Sequence, residues 1–381
     1  MYEVDPQQVP SPAYVLEERL LRRNLELIRR VSRESGAQII LALKGFAMWR
    51  VFPLVYEYLT GATASSLHEA RLIAEEMGCK AHTYAVAYRP DEFKDILRYS
   101  SHIVFNSAAQ LERLRPQWES HQPAVSVGLR VNPEWSDVEV ALYNPAAPGS
   151  RLGEPAYRCL DQLPEGVEGL HFHVLCESSS QSLERVLEAF EQRFGHLLPQ
   201  LRWVNMGGGH LMTRKDYDVE HLIELLRRFR KKWQVEVILE PGSAIAWETG
   251  TLVGTVLDIH ESHGIRTAIL DVSFTAHMPD TLEMPYKPRV VGARLEPQAG
   301  DYAYRLGGVS CLAGDYMSAY GFDRPLQVGD RIVFEDMIHY TMVKTTTFNG
   351  VRHPDIALLH ANGQLEVVRR FGYEDYKCRL S

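Results

Sequence analysis

Short apolar runs recur through the first two-thirds of the chain, at Ile39–Leu43, Gly61–Ala64, Lys80–Val86, His102–Phe105, Val125–Val131, Gly169–His173, Arg202–Met206 and Val235–Leu239. Short apolar runs bounded by polar and turn residues read as buried strands. Between several of them apolar residues fall at helical spacing. The sets are Leu67, Leu72, Ile73 and Met77; Leu183, Val186, Leu187 and Phe190; and Leu222, Leu225, Leu226 and Phe229. Strands alternating with helices predict a parallel sheet with right-handed crossovers, and eight such strands close a (β/α)8 barrel. The span 132–168, opening "NPEWSDVEVALYNPAAPGSRLG", reads as loop.

The two ends follow other patterns. Ala13–Leu16 predicts a strand and Glu17–Ser35 a helix, with Leu21, Leu25, Ile28 and Val31 on one face and Gly36 as its stop. Beyond about residue 250 come short β runs with turn residues: "TLVGTVLDIH", "TAILDVS", "RVVGARL", "YAYRLGG", "RIVFEDM" and "LEVVRRFGY". The expected architecture is α/β, a TIM-like barrel over 36–250 with a C-terminal all-β domain over 251–381. Residues 1–35 supply a helix and a strand that joins the β domain.

Composition narrows the function classes. The chain is 45% hydrophobic and 24% charged, as in ordinary soluble globular proteins. A net charge of −8 gives no support to nucleic-acid binding. No apolar run approaches the ~18 residues of a membrane span, and "MYEVDPQQVPSP" lacks the order of a signal peptide. The five cysteines, Cys79, Cys159, Cys176, Cys311 and Cys378, are odd in number and form no C-x-x-C pair. That speaks against a disulfide framework or zinc knuckle and suits a reducing cytoplasm.

The candidate chemistry lies at strand ends, where a (β/α)8 barrel gathers its catalytic loops. Lys44 follows the first strand, Ser65 and Ser66 the second, and Asn106 the fourth; Arg130 lies near the end of the fifth. His173 ends the sixth, Gly207, Gly208 and Gly209 follow the seventh, and Glu240 follows the eighth. Singly, each has a plain explanation: a wet strand end, a core histidine, a flexible turn. Together they fit pyridoxal phosphate better than any other cofactor. That group needs a lysine for a Schiff base, amides for its phosphate, a carboxylate for its ring nitrogen and a flat side chain over one ring face.

The strings "ALKG", "FHV", "GGG" and "EPG" resemble the motifs of the fold-type III pyridoxal-phosphate decarboxylases, the group of ornithine and diaminopimelate decarboxylases that shares its barrel with alanine racemase. "GGVSCLAGD" (Gly307–Asp315) resembles that family's cysteine-acid segment. "HYT" with "TFNG" (His339–Gly350) resembles the segment whose tyrosine reaches the phosphate. "LHFHVLCE", "HMPDTLEMPYKP" and "CLAGDYM" are similar to the branch that decarboxylates carboxylated polyamines such as carboxynorspermidine and carboxyspermidine. The resemblance covers nearly the whole chain in motif order.

The resemblance implies pyridoxal 5′-phosphate on Lys44, with His173 stacked on the ring and Glu240 at the ring nitrogen. Arg130, Gly207, Gly208, Gly209, Ser243 and Tyr340 complete the cofactor site. Cys311 and Asp315 would reach the substrate side, with Cys311 or a water reprotonating the substrate carbon. It also implies a homodimer in which the cysteine segment enters the neighbouring subunit's site. A cationic polyamine substrate needs acidic partners, and Asp315, Asp280, Glu283, Asp271 and Glu177 are the candidates. Two departures stand out: Ser243 replaces the arginine of E-P-G-R, and Leu175–Cys176 replaces a Gly-Ser pair. The alternatives are a diaminopimelate or other basic amino-acid decarboxylase, and, more remotely, a metal-dependent hydrolase built on the H-x-H pair His171 and His173. A racemase would carry a tyrosine where Cys311 stands, and a non-catalytic relative would lack Lys44 or the cysteine-acid segment. No metal is expected.

Overall fold

A computed structural model describes residues 2–156 and 160–381. The chain divides into two compact units, Asn24–Ile245 and the paired segments Met1–Arg23 and Ala246–Ser381. Among the described residues, no helix is long and apolar enough to cross a membrane. Cys79, Cys176, Cys311 and Cys378 are free thiols; Cys159 lies outside the described residues.

In the unit Asn24–Ile245 the apolar runs are strands of one parallel sheet. In order they are Gln38–Ile39 with Leu41–Ala42, Ala62–Ala64, Ala81–Tyr84, Ser100–Phe105, Ser126–Asn132, Gly169–His171, Trp203–Asn205 and Glu236–Leu239. The first strand is divided at Ile40. Gln38–Ile39 pairs with Glu236–Leu239 while Leu41–Ala42 pairs with Ala62–Ala64, so the pairing returns on itself as a barrel. The predicted helices are present as Leu67–Leu72 continuing into a π turn at Ile73–Met77, Ser180–Phe194 and Val219–Trp233. Phe93–Tyr99 and Ala108–Trp118 are further helices that the apolar spacing did not reveal. The long loop after the fifth strand contains one short strand, Glu154–Pro155, paired with Ser126–Asn132.

Side-chain alternation sorts each strand into barrel-facing and helix-facing residues. Ile40, Val104, Trp203 and Ile238 pack together with Tyr84 inside the barrel. Trp203 dominates this layer. A Cβ on Gly128 would come within 2.2 Å of its Cη2, and one on Gly169 within 2.1 Å of its Cδ2. Glycine at both positions is therefore a packing requirement of one indole. Trp203 Nε1–H donates to Ser126 Oγ (2.9 Å), and Ser126 Oγ–H donates to Glu168 Oε2 (2.6 Å). His82 and His102 stack face to face, 3.8 Å between ring centroids, with His102 edge-on to Trp203. The closed layer supports whatever stands two residues further along each strand.

The other unit holds a nine-stranded, mostly antiparallel sheet. Its long strand Gly250–Ser262 pairs with Ala13–Glu17, Ile265–Leu270 and Arg331–Glu335. Ala13–Glu17 also lies parallel to Asp355–Leu359. The helix Glu18–Ser35 follows directly and stops at Gly36, which takes φ 72° and donates its N–H to Ser32 O. Two strands of this sheet, Tyr316–Phe322 and Asp355–Leu359, were not visible as β runs, whereas "RVVGARL" contributes only Ala293–Arg294.

Candidate active site

Strand register builds the site. His171 is paired with Arg130 on one side and Asn205 on the other, so these three form one layer directly above Gly128, Gly169 and Trp203. Arg130 is 4% exposed; its Nη2–H donates to His173 O (2.9 Å), and its guanidinium lies 4.6 Å from the Tyr84 ring centroid. The Tyr84 hydroxyl donates to Asn106 Oδ1 (2.7 Å). The His171 ring lies 5.3 Å from that of Tyr84, and its Nε2 is 3.7 Å from Glu240 Oε2. Burial, with the nearby Arg130 and Lys44 charges, holds His171 neutral by pushing its pKa well below the usual histidine value.

Asn205 stands at one end of this layer, beside the eighth strand. Its Nδ2–H donates to Glu240 Oε1 (2.7 Å) and its Oδ1 accepts the Gly207 N–H (2.9 Å). Glu240 N–H in turn donates to Gly207 O (2.7 Å). One buried amide thus fixes both the glycine turn and the carboxylate. Burial raises the Glu240 pKa, opposed by the Asn205 hydrogen bond, the Lys44 charge, Thr63 and Arg130.

The glycines are held by close approach. Gly207 and Gly209 take φ 66° and 88°. A Cβ on Gly208 would lie 2.3 Å from Glu240 O, and one on Gly209 2.2 Å from Leu175 O. The Gly208 N–H donates to His173 Nδ1 (2.8 Å). Among the described residues two of the three glycine amides thus have protein acceptors, leaving the Gly209 N–H for a ligand.

A backbone amide can only donate, so His173 Nδ1 is an acceptor and the neutral ring carries its proton on Nε2. That nitrogen lies 3.3 Å from Lys44 Nζ. Lys44 retains accessible surface along its side chain, yet the protein packed round its amine and the Arg130 guanidinium push its pKa down, against Glu240. An N–H facing Nζ also favours the neutral amine. Nearby, burial and then Glu177 push the Cys176 thiol up to about 11. Glu177 is exposed, with φ 50° and its carbonyl accepting from Arg214. Ser243 is half-buried and opens the helical turn Ser243–Ala246.

The remaining candidates belong to the other unit. Asp315 is buried: Oδ1 accepts the N–H groups of Phe274 (2.7 Å) and Thr275 (3.1 Å), and Oδ2 accepts Ser310 N–H (3.2 Å) and Oγ–H (2.6 Å). Asp271 accepts from Ser11 Oγ and Thr255 N, both at 2.7 Å. Asp280 Oδ2 accepts from the hydroxyls of Tyr286 and Thr341, each at 2.8 Å. Glu283 pairs with Lys344. Tyr340 begins the helical turn Tyr340–Val343, and Cys311 is exposed.

These residues fit pyridoxal phosphate. A lysine amine biased toward its neutral form stands on the same rim as an oriented carboxylate, and the glycine turn between them has no room for side chains. His173, the second member of the H-x-H pair, has its ring nitrogens facing Gly208 and Lys44, and among the described residues no group of three or more His, Cys, Asp or Glu side chains is placed to hold a metal. Arg130 was expected near the cofactor; Asn205, Tyr84 and Thr63 were not singled out. Their signal was register: Asn205 lies two residues beyond the barrel-filling Trp203.

The sequence matches the family described as pyridoxal-dependent decarboxylase, C-terminal sheet domain, over residues 13–338. The carboxyaminopropylagmatine decarboxylase of Synechocystis sp. is 53% identical, over 98% of this chain and 96% of its own. The carboxynorspermidine/carboxyspermidine decarboxylase of Campylobacter jejuni is 46% identical, over 98% of this chain and 99% of its own. The crystal structure of carboxynorspermidine decarboxylase complexed with norspermidine, from Campylobacter jejuni, has a TM-score of 0.91 at 46% identity and covers 97% of this chain and 100% of that one. The chain belongs to the pyridoxal-dependent decarboxylases.

Proposed function

We propose that this protein decarboxylates a carboxylated polyamine, carboxynorspermidine or carboxyspermidine, using pyridoxal 5′-phosphate held at the barrel rim. The observation that carries this is that Lys44, its amine beside His173, and Glu240, fixed by Asn205, stand on one rim, joined to full-length relatives named for carboxylated polyamine-type substrates. Bound there, the cofactor supplies an aldehyde for amines and a ring that accepts the electron pair left when CO2 departs. Lys44 supplies the amine, and its lowered pKa enlarges the neutral, nucleophilic fraction. Glu240 would hold the ring nitrogen, His173 would cover a ring face, and Arg130, Gly209 and Ser243 would serve the cofactor's oxygens, a task the resemblance gives to Tyr340 as well.

Cys311 delivers the proton to the substrate carbon from a neighbouring subunit, which makes the enzyme a homodimer with shared sites. Val309 and Leu312 are exposed on the same loop, Tyr316 is exposed at the start of the strand that follows, and Phe348 is exposed beside it, which suits a covered surface. The filled oxygens of Asp315 suit positioning rather than contact with amines. Glu177, exposed on the barrel unit, is the stronger candidate for the substrate's cationic end. A guanidino-ended substrate, as in the name of the Synechocystis relative, is the second reading. A diaminopimelate substrate has less support, because relatives with that name are far more distant.

The test is product analysis with carboxynorspermidine, carboxyspermidine, carboxyaminopropylagmatine, diaminopimelate, ornithine and lysine. A carboxylated polyamine should be turned over fastest. A clear preference for diaminopimelate or ornithine overturns the assignment. Lys44→Ala should abolish both turnover and the yellow absorbance of the loaded protein.

A further inference from the structure

Two sequence motifs that lie far apart in the chain meet in the structure. The Cys311 N–H donates to Asn349 Oδ1 at 2.7 Å. Cys311 stands near the crest of the loop 308–315. The base of that loop is fixed: Gly308 N–H donates to Asp315 O (2.7 Å), Val309 N–H donates to Val272 O (2.9 Å), and the Asp315 carboxylate takes four donors. Within the segment the crest is held at Leu312, whose N–H donates to Ser310 Oγ (3.4 Å) and whose carbonyl accepts the Asp315 N–H (3.0 Å), while the Cys311 N–H itself goes to Asn349. That residue is exposed and takes φ 61° and ψ 15°, followed by Gly350 at φ 72°. Asparagine tolerates the left-handed region better than most side chains and also carries an acceptor oxygen. Position 349 requires both properties. The assignment of "TFNG" to the cofactor's phosphate uses a neighbouring tyrosine and leaves this asparagine without a task.

We propose that Asn349 is a positioning residue for Cys311: by accepting the Cys311 N–H it sets where the thiol points, and so how well that thiol delivers a proton during turnover. This rests on the role given to Cys311 above. A water could satisfy an exposed N–H equally well, but it could not hold the loop crest at a fixed place relative to the 348–350 turn.

The experiment compares Asn349→Gly, Asn349→Asp and wild type as holoenzymes. Glycine keeps the left-handed backbone and removes the acceptor; aspartate keeps both. Two quantities are read: kcat and KM for the carboxylated polyamine, and the Cys311 alkylation rate constant at a pH where the thiol is fully ionised, followed by peptide mass spectrometry. Asn349→Gly should lower kcat about ten- to a hundredfold with KM little changed, as expected when a reacting group is displaced by about an ångström. Its Cys311 alkylation rate should also change severalfold, since reactivity follows the thiol's surroundings. Asn349→Asp should restore both quantities toward wild type. Wild-type kcat and alkylation in Asn349→Gly overturn the proposal, as does equal impairment of both variants. A lowered melting temperature with unchanged kcat also overturns it, by assigning a purely structural role. Cys311→Ala separates the premises: full activity in that variant removes the catalytic role of Cys311, while the alkylation rates still decide whether Asn349 orients the thiol.

Discussion

At the residue scale the site depends on hydrogen bonds whose direction is forced. Gly208 and Gly207 can only donate, so His173 Nδ1 and Asn205 Oδ1 must accept. The Asn205 amide is thereby turned with its N–H toward Glu240. Asn205→Leu removes the donor to Glu240 and the acceptor for the turn. We expect a loss of about ten- to a hundredfold in pyridoxal phosphate affinity, read by spectrophotometric titration, together with a lower melting temperature from the two buried groups left without their partner. The pH dependence has a definite sign. Burial already raises the Glu240 pKa and Asn205 opposes this. A carboxylate that pairs with a cationic ring nitrogen is lost as pH falls through its pKa. Cofactor retention should therefore fail in acid, and in Asn205→Leu it should fail at a higher pH than in wild type. Equal acid limits in the two proteins would remove Asn205 from this role. Lys44, His173, the glycines and Glu240 were legible because each sits in a short distinctive string. Asn205, Arg130 and His171 form a layer only through pairing of three strands, and no string contains all three. The saturation of Asp315 was equally invisible, because its donors lie up to 41 residues away.

At the element scale the barrel strands were readable because a strand buried on both faces must be apolar. The helices Phe93–Tyr99 and Ala108–Trp118 were not, because each buries only a few apolar side chains and the second contains Pro116. The glycines in the fifth and sixth strands had no explanation until Trp203 was placed. Gly169→Ala would put a methyl group inside the indole, so we expect a loss of about 1–3 kcal/mol or more by denaturant titration. Trp203→Phe with Gly169→Ala should recover part of it. The histidine stack adds a pH term. Burial depresses the His102 pKa from 6.5 to about 4. The unfolded chain then binds the extra proton over that window, so the stabilisation is complete above about pH 6.5 and is lost as pH falls toward 4. The size is roughly 3 kcal/mol. His102→Gln should flatten the dependence of unfolding free energy on pH across that interval by about one proton's slope. An unchanged slope would show that His102 titrates normally in the folded protein.

At the scale of the whole molecule the residues alone indicated a barrel and a β domain, but an assembly came only from resemblance, because an interface leaves no period in a sequence. The structure adds a reason for one. The loop 308–315 is anchored by Asp315 and Asn349 and still presents Cys311, Leu312 and Val309 to solvent. Ordering so exposed an apolar segment is useful if another surface receives it. If that surface is the rim of a second copy, each site takes Lys44 from one chain and Cys311 from the other. A Lys44→Ala homodimer then has no working site and a Cys311→Ala homodimer has two impaired ones. Random mixing makes half the dimers mixed. In each mixed dimer one site contains both substitutions and the other contains neither. Refolding or co-expressing the two variants in equal amounts should therefore restore roughly a quarter of wild-type turnover above the residual activity of the Cys311→Ala sites, the fraction that twofold symmetry dictates. If both residues of a site come from one chain, every mixed dimer holds only single-variant sites and the mixture shows no more than the average of its parents. Sedimentation of the mixture alongside the assay separates failure to associate from failure to share.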